Sequence, residues 1–209
     1  MTIQFAQAVD PIFLHVLDLL DRISRGESPN PQEERMRLNA LIDQAGAMLG
    51  GSPEWELAKY ALASWIDEVL LETPWEGVDW WNNNVLEVEL FNTRLCNELF
   101  YRRAQEAANL PRRDALEVFY VCVVLGFRGL YRDGALAALL TQALNLAPDL
   151  ETWARQTALA IRLGQGRPAL PAPARELRGA APLKMKPLVA WAWLSAIFLL
   201  AATVMCVVL

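Results

Sequence analysis

The sequence predicts an all-α protein: a cytoplasmic helical domain followed by a single C-terminal transmembrane helix. Two observations carry this prediction. The last 22 residues, 188–209, contain no charged side chain, whereas all 19 basic and all 24 acidic residues precede Pro187. Upstream, helix-start signals recur ahead of segments with helical apolar spacing, and no segment shows the alternation of a half-buried strand.

The charge-free segment 188–209 is long enough to cross a bilayer. As an α-helix it would extend about 33 Å, against a hydrocarbon core of about 30 Å. Eleven of its 22 residues are Leu, Ile, Val or Phe, whose insertion is favourable. Trp191 and Trp193 lie near one end, as expected for rings at the membrane–water boundary. The alternative, a buried core helix, fits less well because such a helix normally has a polar face.

The charges that flank this segment predict its orientation. The basic residues that precede it are Arg167, Arg175, Arg178, Lys184 and Lys186. They stand against a single acid, Glu176, and no charge follows the segment. By the positive-inside rule, residues 1–186 remain in the cytoplasm. The N-terminus lacks the pattern of a cleaved signal peptide.

The part before the span divides into a domain and a tether. Residues 1–163 suffice for one compact domain. Residues 164–187 contain five prolines and no apolar periodicity, which predicts a semi-extended tether. A net charge of −5 argues against nucleic acid as a partner. Three scattered cysteines predict neither disulfides nor a cysteine-based metal site.

Helices are predicted in order along the domain. The first opens at Asp10-Pro11 and ends near Ser24. Asn30-Pro31 and Ser52-Pro53 each place an N-cap residue before a proline at the first helical position, which predicts helices over 31–49 and 53–72. Further helices are expected over 85–107, 112–130, 134–146 and 149–163. A Trp-rich loop spans 73–84, and its asparagines at 82–84 are expected to cap the helix that follows.

Two of these helices are expected at the centre of a bundle. The helix over 53–72 is apolar on two sides; one side is the stripe Trp55, Ala58, Leu62, Trp65 and Val69, and the other includes Asp67. Residues 115–127 hold a single charged residue. That segment is too short to span a bilayer and is apolar nearly all round, as expected for an enclosed helix.

Asp67 and Glu68 are the candidate functional residues of the central helix. As neighbours they diverge by about 100°, so they do not form a catalytic pair by themselves. Asp67 falls in an apolar row, where an ionised carboxylate needs a partner, and Arg128 or Arg132 is the expected one. Two roles stay open: a buried ion pair that fixes helix packing, or an acidic cleft that docks a protein partner.

The remaining candidates favour structure over chemistry. His15 is the only histidine and is expected on a helix surface, because no second His or Cys lies at metal-ligand spacing. The run around Trp75 is expected to pack on the bundle rather than form an exposed binding patch. The sequence contains no nucleophile elbow, phosphate-binding loop or zinc motif. We therefore predict no enzyme activity, no cofactor and no metal.

Local patterns spread over residues 8–163 indicate one family. They are residues 60–68, which end in the Asp67-Glu68 pair, Thr73-Pro74-Trp75 with Trp80, residues 90–93 with Phe100, and, most specifically, residues 116–122 followed by 125–132. On these motifs the chain resembles the DotU/IcmH-like inner-membrane proteins, called TssL in type VI secretion systems, in the short form without a peptidoglycan-binding domain. The structural positions within the motifs are Trp65, Tyr120, Gly126, Phe127, Gly129 and Tyr131.

The resemblance implies two small helical bundles with a cleft between them and one helix in the bacterial inner membrane, the C-terminus lying at or near the periplasmic face. Family members assemble with an IcmF-like membrane protein (TssM), indirectly with an outer-membrane lipoprotein (TssJ), and dock a TssK-like baseplate subunit. Asp67 and Glu68 match the family's acidic pair, and Trp75, Arg128 and Arg132 are the further expected partner-binding residues. The chain departs from the family pattern at residues 75–77 and 95–97.

The leading hypothesis is a structural subunit that anchors the baseplate to the inner membrane through an IcmF-like partner. The alternative is a tail-anchored helical regulatory protein without a role in secretion. Under the leading hypothesis, replacing both Asp67 and Glu68 by Lys is expected to leave folding near normal and to block baseplate recruitment. A homodimer is also compatible with the span, because small residues permit close helix approach. These residues are Ala192, Ser195, Ala196, Ala201 and Ala202.

Overall fold

The computed structural model describes residues 1–164, which form helices and contain no strand. The tether beyond Gly164 and the span predicted over 188–209, with its small residues, lie outside the described residues. The helices are α1 (Ile3–Ser24), α2 (Pro31–Leu49), α3 (Pro53–Glu72), α4 (Val78–Asn83), α5 (Leu86–Phe91), α6 (Cys96–Ala108), α7 (Asp114–Val124), a 3₁₀ helix (Gly129–Arg132), α8 (Gly134–Ala143) and α9 (Leu150–Gly164).

The first three helices show which start signals the chain uses. Asn30 and Ser52 cap α2 and α3 as predicted: Asn30 accepts from the Gln32 N–H at 2.9 Å, and Ser52 accepts from the Trp55 N–H at 3.2 Å. The start predicted for α1 at Asp10-Pro11 is wrong. The helix begins at Ile3 behind Thr2, and Pro11 lies inside it. Because the buried face continues upstream of Pro11, its packing outweighs the one backbone hydrogen bond that a proline removes.

The segment after α3 contains more breaks than the sequence predicts. The helix predicted over 85–107 is two helices, separated at Asn92, whose φ of 53° is left-handed. The asparagines at 82–84 do not cap the next helix, since Asn83 and Asn84 donate to carbonyls inside α4. The helix predicted over 112–130 ends at Val124, and Gly126, with φ 112°, turns the chain toward the 3₁₀ helix.

The long helices run up and down around α3. Side-chain contacts join the start of α1 to the end of α2 and to the start of α7, and they join the end of α9 to the start of α7. Every residue from 60 to 70 is buried, which confirms that α3 is central. Helix α7 packs along it, with Phe119 and Cys122 fully buried. The fold thus buries the polar residues Ser64, Asp67 and Glu68 of α3, whereas Glu56 near its start is exposed.

One continuous core holds the described domain together. Buried residues from α1, α3, α6, α7 and α9 belong to a single cluster, and the described residues belong to one compact unit. The expectation of two small bundles with a cleft between them stays a prediction, and the helices packed on α3 share one core. The shared element is the reason, because a helix apolar on two sides contributes buried surface to both neighbours at once.

Within residues 1–164, only α1 is long and apolar enough to cross a membrane by length and composition. Its inner face is packed against the domain, where Phe13 lies 5.1 Å from the Trp65 ring. Asp10, Asp18 and Asp21 are exposed on its other side. This pattern is typical of an amphipathic helix that covers a core.

Candidate functional site

A cavity of about 250 Å³ lies at the C-terminal end of α3, and we call it the α3 cavity. It is bounded by the end of α3, by α5 with the residue before it, by the start of α6 with the loop before it, and by the end of the 3₁₀ helix. Its lining residues are Asp67, Glu68, Leu71, Val85, Glu87, Arg94, Cys96, Asn97 and Arg132. The sequence-predicted residues Asp67, Glu68 and Arg132 are therefore brought together, although the roles of the two acids differ from those expected.

Asp67 holds the start of α5. Its carboxylate is 3% exposed and accepts three hydrogen bonds: from the Trp81 indole at 3.0 Å and from the Leu86 and Glu87 N–H groups at 2.8 Å each. Burial raises the pKa of Asp67 to about 6, while these bonds and the charge of Arg35 act in the opposite direction. The partner predicted for Asp67, Arg128 or Arg132, is wrong, because backbone N–H groups and an indole occupy its oxygens.

Glu68 holds the next turn of chain. It is 5% exposed and accepts from the Arg128 N–H at 2.6 Å and the Gly129 N–H at 3.0 Å. The Arg132 guanidinium lies 3.0 Å from the same carboxylate. Burial raises the pKa of Glu68, and the backbone N–H groups and Arg132 partly reverse that shift. The arginine expected to pair with Asp67 thus pairs with its neighbour, because adjacent helical positions point to different sides of α3.

Glu87 is the residue that sequence reasoning missed. It is 2% exposed and accepts from the Tyr60 hydroxyl and the Thr93 hydroxyl at 2.7 Å each. It also accepts from the Leu95 N–H at 3.0 Å and the Cys96 N–H at 3.1 Å, where α6 begins. The sequence did contain a signal for it: Glu87 is the one acid among the apolar residues of the run 85–88, a pattern that indicates a buried and partnered carboxylate.

The three carboxylates follow one design. Asp67 binds the first N–H groups of α5, Glu68 binds those that lead into the 3₁₀ helix, and Glu87 binds those that open α6. The N–H groups at a helix start have no partner inside the helix and attract negative charge. With their oxygens occupied in this way, the three acids position chain segments and are poorly placed to accept a proton from a substrate.

Other groups at the α3 cavity are equally unsuited to chemistry. Burial raises the pKa of the Cys96 thiol to about 12, so the reactive thiolate is scarce at neutral pH. Among residues 1–164, no cluster of His, Cys, Asp and Glu side chains is arranged to hold a metal ion. His15 lies away from the cavity, between α1 and α2, where its Nε2 is 2.9 Å from the Glu34 carboxylate.

Comparison with protein families decides what kind of protein this is. A family described as "Type VI secretion system protein DotU" matches residues 4–209. The chain belongs to the DotU family. As a member it is a structural component of a type VI secretion system, which favours the leading hypothesis over the tail-anchored regulator. Comparison with curated protein sequences finds no significant match.

Two solved structures share the fold of this DotU-family chain. One is the cytoplasmic domain of TssL from Acinetobacter baumannii, with 22% identity and a TM-score of 0.60, covering 78% of this chain and 99% of that one. The other is SciP/TssL from Escherichia coli Enteroaggregative 042, with 20% identity and a TM-score of 0.58, covering 87% of this chain and 98% of that one. At identities of 20–22%, the two structures show a shared fold only.

The DotU motif over 125–132 builds the wall beside the α3 cavity. The Phe127 ring stacks on Phe100 with centroids 3.9 Å apart, and the Tyr131 hydroxyl donates to the Ala147 carbonyl at 2.7 Å. Gly129 supplies an N–H to Glu68 at φ 49°. The motif positions Trp65 and Tyr120 pack elsewhere: Trp65 is fully buried and donates to the Leu125 carbonyl at 3.3 Å, and Tyr120 is half-buried on α7.

Two predicted site residues of this DotU-family chain do not line the α3 cavity. Trp75 folds back on α3, where its indole donates to the Leu70 carbonyl at 2.9 Å, as expected for a loop packed on the bundle. Arg128 contributes its backbone, with its N–H bound to Glu68 and its carbonyl accepting from the Tyr101 hydroxyl at 2.7 Å. Its side chain is exposed.

The accessible part of the site is its mouth. Arg132 is 50% exposed and pairs with both Glu68 and the exposed Glu72. Arg94 is exposed and donates to the side chain of Asn82 at 2.7 Å. The expectation that Lys at both 67 and 68 would leave folding near normal is no longer tenable, because two ammonium groups would face buried N–H donors with no acceptor.

Proposed function

We propose that this chain is the inner-membrane scaffold subunit of a type VI secretion membrane complex. In this role it joins an IcmF-like (TssM) partner, is linked through it to the outer-membrane lipoprotein (TssJ), and presents its helical domain to a TssK-like baseplate subunit in the cytoplasm. Membership of the DotU family supports the secretion role, and the charge-free segment 188–209 supports the anchor. A homodimer through the span stays compatible with this arrangement.

One observation favours a role of this chain in assembly over a role in catalysis. The three buried carboxylates of the α3 cavity are saturated by hydrogen bonds that start neighbouring segments, and charged groups of both signs are left exposed around the opening. A preformed surface with mixed charges is suited to selecting and orienting a protein partner. Arg94, Asn97 and Arg132 are the residues we propose for direct contact, with Glu72 beside them. Asp67 and Glu68 act by holding this surface in shape.

The docking proposal is tested by recovering partners from mildly solubilised native membranes. An affinity tag inserted in the exposed turn at Gly26-Glu27 avoids the packed N-terminus. We expect the wild-type chain to recover an IcmF-like protein and a TssK-like protein. The variant Arg94→Glu with Arg132→Gln should lose the TssK-like protein and retain the IcmF-like one.

A matched control changes two exposed arginines elsewhere. Arg25→Glu with Arg155→Gln alters the net charge by the same amount, and both side chains are engaged only in i,i+4 pairs with acids or in a hydrogen bond one turn away. This control should recover both partners, and circular dichroism should show that both variants are folded. Undiminished recovery of the TssK-like protein by the folded Arg94/Arg132 variant would remove the α3 cavity from the docking surface.

The anchor is tested separately by ending the chain after residue 187. The shortened chain should leave the membrane fraction for the soluble fraction, because about half of the removed residues are strongly apolar and none is charged. Retention in the membrane fraction after high-salt and carbonate washes would contradict the proposed span.

A further inference from the structure

One end of the helical domain carries the point at which the chain continues toward the tether. We call it the exit pole; it comprises the starts of α1 and α7 and the ends of α6 and α9. Thr2 donates through its N–H to Asp114 at 2.6 Å and through its hydroxyl at 3.0 Å. The Arg113 side chain lies against the Cα of Gly164, so closely that a Cβ there would clash. A cavity of about 390 Å³ opens between these residues and Arg112.

The charges exposed at the exit pole are mainly basic. Arg112 is 61% exposed, and Arg162 is exposed in the last turn of α9. Arg113 adds a fixed charge, because its guanidinium donates to the Ala108 and Leu110 carbonyls at the end of α6. Glu106 is an exposed acid in the last turn of α6.

Two further acids of the exit pole are buried or nearly so. Asp114 is buried, with its carboxylate bound to Thr2. Glu54 is also nearly buried and lies 3.6 Å from the Arg112 guanidinium. Both carboxylates are engaged by groups of the domain itself, so neither is directed at a surface that approaches the pole.

The opposite end of the domain is acidic, and we call it the site end because it holds the mouth of the α3 cavity. Residues 72–79 expose Glu72, Glu76 and Asp79 and no basic residue. Residues 18–33 expose four acids against Arg25. Arg94, Arg128 and Arg132 are also exposed at this end, so it carries both signs of charge with acids in excess, whereas arginines predominate among the exposed charges of the exit pole.

We propose that the exit pole is a lipid-binding surface, which docks on anionic headgroups of the membrane in which the chain is anchored. The proposal rests on the proposed function, since it requires the span. The sequence continues from Gly164, at the exit pole, into the basic segment that precedes the predicted span. Anionic lipids attract basic residues at the surface.

Docking of this kind fixes the orientation of the whole domain. With the exit pole on the bilayer, the acidic site end points away from the anionic leaflet, which would repel it. The mouth of the α3 cavity then faces the cytoplasm. A tether alone would leave the domain free to tumble, so the arginines of the exit pole supply the orientation that a docking subunit needs.

The test uses the full chain in lipid nanodiscs made of neutral phosphatidylcholine, or of phosphatidylcholine with 30% phosphatidylglycerol. Amide hydrogen exchange is followed by mass spectrometry in peptides that cover 108–114 and, as an internal reference, 72–80. We expect slower exchange at 108–114 only in the anionic nanodiscs. The difference should disappear in about 0.5 M salt, where exposed charges are largely screened.

Two variants separate the exit pole from a general charge effect. Arg112→Gln with Arg162→Gln should weaken the docked state about 25-fold, at about fivefold for each charge near an anionic surface, and should abolish the lipid-dependent protection. Arg25→Gln with Arg155→Gln removes two exposed arginines from other surfaces and should keep the protection.

The outcomes distinguish this inference from the proposed function. A chain that enters nanodiscs of both compositions with equal exchange at 108–114 contradicts the lipid-binding surface and leaves the anchor intact. Protection that survives Arg112→Gln with Arg162→Gln also contradicts it. A chain that enters neither nanodisc contradicts the anchor and the inference together.

Discussion

Asp67 and Glu68 are adjacent in sequence and perform separate tasks. Asp67 holds α5, whereas Glu68 holds the turn into the 3₁₀ helix, 60 residues further along the chain. Adjacent side chains point in different directions on any helix, so it was predicted that the two carboxylates would lie apart. Their hydrogen-bond partners were not predicted. Of the two roles left open for Asp67, the structure supports fixation of helix packing, achieved by backbone N–H groups rather than by an arginine.

The ionisation of Asp67 is the first prediction at this scale. Burial raises its folded-state pKa to about 6, above about 3.9 for an unfolded chain. The folded state therefore binds this proton more tightly, so the contribution of Asp67 to stability is complete below about pH 4 and is lost as the pH rises through about 6. Carbon-13 NMR titration of the Asp67 carboxyl should give a midpoint near 6. A midpoint near 4 would show that its hydrogen bonds outweigh burial.

Glu87 gives a second prediction. Glu87→Ala should lower the free energy of unfolding by at least about 3 kcal/mol, because the buried Tyr60 hydroxyl and the N–H groups that open α6 lose their acceptor together. Glu98→Gln, at an exposed position in the first turn of α6, serves as control and should change it by less than about 0.5 kcal/mol. Denaturant unfolding of residues 1–167 measures both, and equal values would refute the capping role.

At the scale of elements, local sequence signals correctly predicted the starts of α2 and α3, but not the start of α1 or the breaks in the helices after α3. A capping residue before a proline acts through its nearest backbone groups, so the sequence alone contains the whole interaction. The breaks at Asn92 and after Val124 depend on Glu87 and Glu68, which bind N–H groups that the unbroken helices would have used internally. Glu68 is 60 residues from the N–H groups it binds, and Glu87 lies in a neighbouring helix, so the helical periodicity of either segment does not reveal these acceptors.

Gly129 permits a prediction about the break after α7. Its φ of 49° is left-handed, and a Cβ would lie 2.8 Å from the Phe127 ring. Gly129→Ala should lower the free energy of unfolding by about 2–4 kcal/mol, from the backbone strain and from displacement of that buried ring. Gly134→Ala is the matched control, because no atom lies within 4 Å of its added Cβ. Thermal unfolding distinguishes them; a tolerated Gly129→Ala would mean that the turn can rearrange.

At the scale of the molecule, the shared core predicts one unfolding transition for residues 1–164. Leu19→Ala in α1 and Phe119→Ala in α7 change fully buried residues in two different helices of the core. They should lower the free energy of unfolding by about 2–5 and 3–5 kcal/mol, and each should shift the unfolding of all helices together. Leu14→Ala, exposed on α1, should have little effect. Two separate transitions in either core variant would show that parts of the domain unfold independently.

The sequence by itself determined the helical class, the central place of α3 and α7, the starts of α2 and α3, and the family, because each of these is written in local spacing or short motifs. Only the tertiary structure decided where the acids act. It showed that Asp67, Glu68 and Glu87 converge on one cavity, that the arginines assigned to Asp67 belong to Glu68, and that the helices share one core. The physical reason is that a buried carboxylate takes whichever donors the fold brings to it, and those donors are backbone groups, which every residue except proline has and no sequence pattern marks.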